Sequence, residues 1–492
     1  MNVLVAIAYY GTTNEEHLLE LVRSYDAMTD LDVDIVVLTE APKALPPHVR
    51  QVIGLPTPDP YSLPFAHKTL FARHRDDYDL FIYSEDDTLI TRTNIDAFLW
   101  ATGVLGEDRI AGFLRKEQHP GGTVRCSSVH NHYHWRPDSA FRAGGQTFAR
   151  FTNDHGACFL LTKAQLDRAI RSGGFLRPAR SGRYSMRVTA ATDPYTGCGM
   201  ERVVCISRLD DFLLPHLTNR YLDTLGRPID DVRRQTAALE ATLDGSVPTA
   251  RLIDPTGPDD DARWDKRFYE RIDADVVGVL GALGPRRVLS LGAGSGELEA
   301  ALGHAGHDVV AIPLDAIVGA TAAAAGVSVT SPVLDEALAG LDEPFDALVA
   351  ANVLHHFDDP VATLERLRTV LRPGAQVVVT TPNLRRDRVR AVLGKAPAPP
   401  RATGGAGRPH LVGRSGVVRW LRAAGIGELT CVPSGGSARG RRAATAAVRA
   451  PRLLTVGAVP SGSGATPTAG RGGSHRHNAR RSRRPSTMPA AR

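Results

Sequence analysis

Arg287-Val-Leu-Ser-Leu-Gly-Ala-Gly-Ser-Gly296 is the stretch from which the fold of the C-terminal half follows. A short apolar run, Val288 to Leu291, leads straight into Gly292, Gly294 and Gly296, and an amphipathic run from Glu297 to His304 comes next. The pattern predicts a strand, a glycine turn and a helix. That order brings a charged ligand against bare backbone, because glycine removes the Cβ atoms that block close approach and tolerates positive φ. The helix N-terminus adds free N–H donors and the positive end of a dipole. A G-x-G-x-G triplet alone fits any tight strand-to-helix turn, so the elements downstream must narrow the choice.

They alternate. Asp308 to Leu314 reads as a strand, Ile317 to Ala325 as an alanine-rich helix, and Val327–Thr330 as a short strand. Phe345-Asp-Ala-Leu-Val-Ala-Ala-Asn-Val-Leu-His-His-Phe357 opens with another strand. A helix from Pro360 to Leu371, a turn at Arg372-Pro-Gly374 and a strand from Gln376 to Thr381 complete the run. Such alternation argues for a parallel sheet covered on both faces.

With these motifs the chain resembles the class I S-adenosylmethionine-dependent methyltransferases over roughly Trp264 to Val459. Gly292-Ala-Gly-Ser-Gly296 matches the family's glycine motif, Ala351-Asn-Val-Leu-His-His356 its fourth-strand motif, and Leu371-Arg-Pro-Gly-Ala375 the turn before its fifth strand. The resemblance implies a Rossmann-like domain that holds S-adenosyl-L-methionine against Gly292, Ala293, Gly294 and Gly296, with Asn352 beyond the fourth strand. His355 or His356 is the candidate general base, since an imidazole near its ordinary pKa accepts a proton at neutral pH. Three positions that are usually acidic in the family hold Ser290, Pro313 and Val333 here. Asp315, two residues past Pro313, is the candidate for the ribose hydroxyls. These departures also carry an alternative, a degenerate and non-catalytic methyltransferase-like domain.

The N-terminal part opens on a second strand-helix-strand unit. Asn2 to Ala8 is a strand and Val33 to Leu38 another. Between them Asn14 to Met28 has helical spacing, with Leu18, Leu19, Val22 and Tyr25 on one face and Asn14 as N-cap. The informative stretch is Asp79-Leu-Phe-Ile-Tyr-Ser-Glu-Asp-Asp-Thr-Leu-Ile90, a buried strand ending in Glu85-Asp86-Asp87. Three acids at a strand's end are costly unless they face water or a cation. Hard oxygen ligands there suit Mg²⁺ or Mn²⁺ bridging a diphosphate; a solvated acidic turn is the other reading.

The arrangement resembles the D-x-D-type motif of GT-A glycosyltransferases. That resemblance implies Glu85 and Asp87 as metal or ribose contacts and a later histidine, His216, completing the metal site. It also implies an acid near the acceptor hydroxyl. The candidates are Asp193 and Glu201, at the ends of Asp193-Pro-Tyr-Thr-Gly-Cys-Gly-Met-Glu201, which reads as a glycine-rich loop. Lys68 opens the helix before the acidic strand and reads as a phosphate contact or a surface lysine. His130, His132 and His134 share one face of a strand beside Cys126, so a zinc site is conceivable there. A polar, substrate-facing strand is the alternative.

The predicted fold class is α/β with two domains. Residues 1–227 form a GT-A-like mixed α/β domain, 228–262 a helix and linker, 263–460 the methyltransferase domain and 461–492 a disordered basic tail. The linker is read from Gly245, Pro248, Pro255, Gly257, Pro258 and three consecutive aspartates. No apolar run reaches the ~18 residues that span a bilayer, and Met1-Asn-Val-Leu-Val-Ala reads as a strand rather than a signal peptide. Five cysteines without a C-x-x-C pair favour reduced thiols in a cytoplasm. Twelve arginines and no acid lie from Gly435 onward, more than the chain's net charge of +6. The rest of the chain is therefore mildly acidic, and a tail without interleaved aromatics makes nucleic acid an unexpected partner. The function expected is a bifunctional transferase. It takes a nucleotide-sugar donor and S-adenosyl-L-methionine, and works on a glycan or glycosylated small-molecule acceptor.

Overall fold

The structure, a computed structural model, describes residues 1–127, 135–181, 184–222, 226–253, 272–383, 410–434 and 452–461. The histidine-rich stretch around His130 and the basic tail from 462 lie outside the described residues, as do parts of the linker and of the helix expected from Arg263. Residues Met1–Pro460 form one compact unit.

Three apolar runs of the N-terminal half, β1 (Asn2–Ala8), β2 (Asp32–Thr39) and β4 (Leu80–Glu85), become parallel strands, joined at one edge by the more polar β3 (Arg50–Ile53). Val3 to Ile7 and Leu80 to Tyr83 are wholly inaccessible, as expected where helices cover both faces of a sheet. An antiparallel strand, β5 (Cys158–Thr162), closes the edge beside β4, giving the order β5-β4-β1-β2-β3. Helix α1 (Glu15–Asp26) packs Leu18, Leu21, Val22 and Tyr25 inward. Asn14 stands at its N-cap, but its side chain makes no capping bond. The first connection leaves β1 on one side and the next strand joins on the other, so the crevice opens at the carboxyl ends of β1 and β4. Ala8 pairs with Glu85 at that rim.

Lys68 lies in α2 (Ala66–Arg73) and is buried, so it is neither a surface lysine nor a group on the rim. The expected loop after residue 193 is also different. Helix α3 (Met186–Thr196) runs through Asp193 and Pro194 and stops two residues later, and Glu201 opens a strand that continues to Cys205.

In the C-terminal half the strands are β6 (Arg287–Ala293), β7 (Asp308–Pro313), β8 (Ser328–Val329), β9 (Phe345–Ala351), β10 (Leu371–Pro382), β11 (Gly427–Ser434) and β12 (Arg452–Ala458). They form one seven-stranded sheet in the order β8-β7-β6-β9-β10-β12-β11. The first five are parallel, and β12 enters antiparallel between β10 and β11. This is a Rossmann-like architecture. The Arg372-Pro-Gly374 turn is absorbed into β10, which starts at Leu371 opposite Phe345 and slips register before Ala347 pairs with Gln376. The helix before it, Pro360–Arg368, ends three residues earlier than its apolar spacing suggests.

The two halves touch beside the glycine turn. Helix α4 (Ile229–Ala241) packs on α5 (Ala316–Ala324), and Gln235 Nε2 donates to Thr321 Oγ1 at 3.1 Å. Arg227, 2% exposed, reaches Glu297 at 3.1 Å, the first residue of the helix after Gly296. Leu252 N–H donates to the Leu314 carbonyl at 2.9 Å, and the backbone of Arg251 pairs with that of Asp315 in an isolated antiparallel β-bridge. The segment expected to link two domains is pinned along its described part.

Candidate active sites

The N-terminal site grows from the end of β4. The chain turns over at Asp86 and Asp87, then meets the strand Leu213–Pro215 and the residues after it. Leu89 N–H donates to the Pro215 carbonyl at 3.0 Å, and Leu217 N–H to the Asp87 carbonyl at 2.8 Å. His216 N–H donates to the Lys116 carbonyl of strand Leu114–Gln118 at 2.8 Å. Three segments distant in sequence are thereby laced together by backbone bonds, and a cavity of about 490 Å³ opens beside them. Its walls include Glu85, Asp86, Asp87, His216, Asn14 and Arg115, with the exposed rings of Tyr10 and Tyr61 at its rim.

Two of the acids are shifted upward and one downward. Burial pushes the Asp86 carboxyl up to about 7; the hydrogen bond from Asn14 Nδ2 (2.8 Å) opposes the shift, and the charges of Asp87 and Glu85 add to it. This bond is what diverts Asn14 from capping α1. Burial likewise raises Glu85, partly offset by the Arg187 guanidinium. Burial also works to raise Asp87, but its bond to His216 and the charges of His216, Arg115 and Arg220 outweigh it and hold the carboxyl below its ordinary value.

His216 is buried between two carboxylates. Nδ1 lies 2.5 Å from Glu117 Oε1 and Nε2 lies 3.2 Å from Asp87 Oδ2. Glu117 also accepts the Tyr221 N–H at 2.9 Å, which fixes it in place. Burial disfavours the charged ring, yet the bonds to Asp87 and Glu117 raise its pKa. With acceptors at both nitrogens the ring is suited to donate twice, as an imidazolium.

Glu85, Asp87 and His216 thus come together on one wall, but not as a three-ligand cage. Among the described residues no three histidine, cysteine or carboxylate side chains gather as the ligands of one cation. Asp193 stays away from this cavity. It is buried in α3 between Lys68 and Arg180, the latter at 2.7 Å. Glu201 is exposed and pairs with Arg109 at 3.4 Å and Arg150 at 3.9 Å. The residues that sequence reasoning missed are Arg115, Glu117, Arg187 and Arg220. A signal existed for two of them: Arg115 and Glu117 are two apart in one strand and so share a face, and both are buried.

The C-terminal site lies at the carboxyl ends of β6 and β9. Gly292 and Gly296 both have positive φ (76° and 86°), and a Cβ on either would strike a neighbour, Val353 or Ala322. Gly294 is different: a Cβ there would meet nothing within 4 Å. The open face of the turn is therefore at Gly294, where bare backbone faces free space. Asn352 follows β9 in a left-handed conformation (φ 53°), its N–H bonded to the Thr380 carbonyl at 2.9 Å. His355 and His356 are buried in the single turn Leu354–His356 with ring centroids 4.0 Å apart. The His355 carbonyl accepts the His410 N–H at 2.7 Å.

Two carboxylates near this site turn inward. Ser290 Oγ donates to Glu299 Oε1 at 2.7 Å, so an acid from the following helix stands against the strand position where the family usually has its own. Burial raises the Glu299 pKa against that hydrogen bond. Asp315 is wholly buried at the N-cap of α5, where its Oδ1 accepts the N–H groups of Ile317 and Val318, both at 2.9 Å.

A family model described as "Methyltransferase domain" matches residues 263–426. Curated relatives include the ubiquinone biosynthesis O-methyltransferases of Xylella fastidiosa strains M23 and Temecula1. Each is 29% identical over 141 residues, which is 27% of this chain and 56% of the relative. The chain thus spans little more than half the length of the curated relatives it matches. Similar solved structures include the carbon methyltransferase CurJ, 19% identical with a TM-score of 0.30 over 47% of this chain and 66% of that one. A SAM-dependent methyltransferase from Archaeoglobus fulgidus is 14% identical with a TM-score of 0.30, over 39% and 96% respectively. The C-terminal half carries a methyltransferase domain. Among the described residues no helix is long and apolar enough to cross a membrane.

Proposed function

We propose that the chain is a two-headed transferase. Its C-terminal half is an S-adenosyl-L-methionine-dependent methyltransferase, and its N-terminal half transfers a sugar from a nucleotide donor to a glycan or small-molecule acceptor. The observation that carries the methyltransferase reading is the open glycine turn at the switch point of the seven-stranded sheet, within the stretch matched to a methyltransferase domain. The residues present fit a ligand lying on backbone: Gly292, Ala293, Gly294 and Gly296 would face its methionine end, and Asn352 lies across the crevice. When bound, the cofactor supplies an electrophilic methyl group. The protein's part is to align the acceptor, exclude water and take up one proton. His355 or His356 is assigned that last role. The relatives named above as O-methyltransferases favour an acceptor oxygen.

The N-terminal reading is supported by the acidic rim at the carboxyl end of β4. Mg²⁺ is commonly bound by one or two carboxylates plus substrate phosphates. Asp87, ionised and on the cavity wall, with Glu85 beside it, fits that mode, whereas no three-ligand cage forms among the described residues. A bound divalent cation would neutralise the leaving diphosphate.

A second reading, a non-catalytic methyltransferase-like domain, is favoured by Ser290 and by the capping role of Asp315. Isothermal calorimetry with S-adenosylhomocysteine separates the two. Binding by the full chain supports the enzyme, and no heat at millimolar ligand leaves only the second reading. A thermal-shift panel of nucleotide sugars with Mn²⁺ tests the other head, since a ligand of the native state raises apparent stability.

A further inference from the structure

We propose that Arg115, Arg187 and Arg220 form an anion subsite that grips a diphosphate in the N-terminal cavity without needing a divalent cation. The proposal rests on the reading of this half as a nucleotide-sugar site and assigns to it residues outside the acidic triplet.

All three arginines line the cavity. They arrive from separate elements: Arg115 from strand Leu114–Gln118, Arg187 from the first turn of α3, and Arg220 from the segment after His216. Nothing local in sequence requires three guanidinium groups to converge. Each is near acids without being matched to one. Among the described residues none of the three has a carboxylate within ion-pair distance, although Arg115 and Arg220 act on Asp87, and Arg187 on Glu85, through space.

Arg115 is the telling member. It is 4% exposed, and its Nη2 is buried without a hydrogen-bond partner. A buried, unsatisfied guanidinium donor costs stability unless something occupies it. Three other buried charges in the same half have charged partners: Lys68 has Asp193, Asp193 also has Arg180, and His216 has Glu117 and Asp87. Arg115 also lines the cavity, where an anionic partner would sit. A guanidinium's planar fork matches two phosphate oxygens at once, and several around one cavity suit a ligand with more than one anionic group. Tyr10 and Tyr61 at the mouth offer apolar rings on which a base can lie, so a nucleoside diphosphate fits better than orthophosphate.

The test uses the full chain in EDTA and titrates inorganic pyrophosphate by calorimetry. Wild type should bind without divalent ion. Arg187→Gln and Arg220→Gln, both exposed and so safe for the fold, should each weaken binding roughly tenfold, and the pair should weaken it more. Arg115→Gln should abolish binding, with a circular dichroism melt confirming that it folds. Binding that appears only after Mn²⁺ is added, or that is unchanged in the Arg187/Arg220 pair, overturns the proposal. Nucleotide-sugar turnover is measured separately. Pyrophosphate binding in EDTA with no turnover of any donor supports the subsite and overturns only the glycosyl-transfer reading.

Discussion

Both halves of the molecule place a crevice at the carboxyl ends of two paired strands, β1 and β4 in one and β6 and β9 in the other, yet they furnish it in opposite ways. The N-terminal crevice is crowded with charge: Glu85, Asp86 and Asp87 face Arg115, Arg187 and Arg220 across one cavity. The C-terminal crevice is floored by glycine backbone, and its nearby acids point into the protein, Glu299 to Ser290 and Asp315 to the start of α5. A site can thus be built from side-chain charge or from exposed peptide groups, and the two should fail differently under mutation. Charge can be neutralised without harm to packing, whereas a glycine turn is part of the fold.

The largest effect is expected at Gly296. A Cβ there would lie 2.7 Å from the Ala322 Cα, and φ is 86°. Gly296→Val should cost roughly 3 kcal/mol or more, since it adds both a backbone penalty and an overpacked contact. Urea denaturation measures it. A variant as stable as wild type would show that α5 can move away from the turn, and would break the view that this crevice is rigid.

Gly294→Val sharpens the contrast within one turn. No atom lies within 4 Å of its Cβ position, so stability should change by less than about 0.5 kcal/mol. S-adenosylhomocysteine binding should fall by roughly a hundredfold, because the side chain fills the space where the ligand meets backbone. Calorimetry on the folded variant reads this directly. Unaltered affinity would mean the open face of the turn is not the cofactor seat.

For the charged crevice the expected effect is a pH dependence. Asp86 titrates near 7 in the folded chain and near the ordinary carboxyl value when unfolded. Between about pH 4 and 7 the folded state therefore holds a proton that the unfolded state has lost, so stability falls as pH rises through that window. Asp86→Asn removes the ionisable group and keeps an oxygen for Asn14. Its melting temperature, in EDTA, should exceed that of wild type at pH 8, with the gain shrinking towards pH 5. The stabilisation is on the order of a few kcal/mol at most. An equal difference at both pH values would assign it to something other than the proton.

The two halves also differed in how far sequence disclosed them. Where the determinants were local, the reading held. The glycine spacing located a strand, a turn and a helix from Glu297 to His304 to the residue, and the apolar run before Glu85 gave β4. Where partners are distant, it did not. Asp193 sits beside Pro194, Gly197 and Gly199, so it read as part of a loop; its helix is instead anchored by Lys68, 125 positions away. Arg115 and Glu117 went unread because neither forms a motif with a sequence neighbour. Their meaning comes from a cavity and from a histidine 99 positions on. Asn14 was read correctly as a helix boundary, yet its side chain serves Asp86 across the crevice.

Asp315 is where local and distant determinants compete most evenly, and its predicted effect is the smallest. The sequence offered it as a ribose contact because it is the nearest acid past β7. The structure gives its Oδ1 two backbone N–H groups at the start of α5 and buries the residue completely. Arg251 and Leu252 pair beside it, at the very end of the strand where a ribose would have to lie. A capping carboxylate contributes about 1 kcal/mol through its hydrogen bonds and the helix dipole. Asp315→Ala should therefore lower stability by about that much. Asp315→Asn, which can still accept both N–H groups, should recover most of it. If capping is its whole role, S-adenosylhomocysteine affinity should match wild type in Asp315→Asn, with the loss in Asp315→Ala no larger than the lost cap explains. A ribose role predicts the reverse pattern: normal stability in Asp315→Asn with affinity down by tenfold or more, because the amide accepts less strongly than a carboxylate from paired hydroxyls. Calorimetry and a urea curve on these two variants decide between them. The reverse pattern would also require the Arg251–Ile253 segment to leave the end of β7 when the cofactor binds.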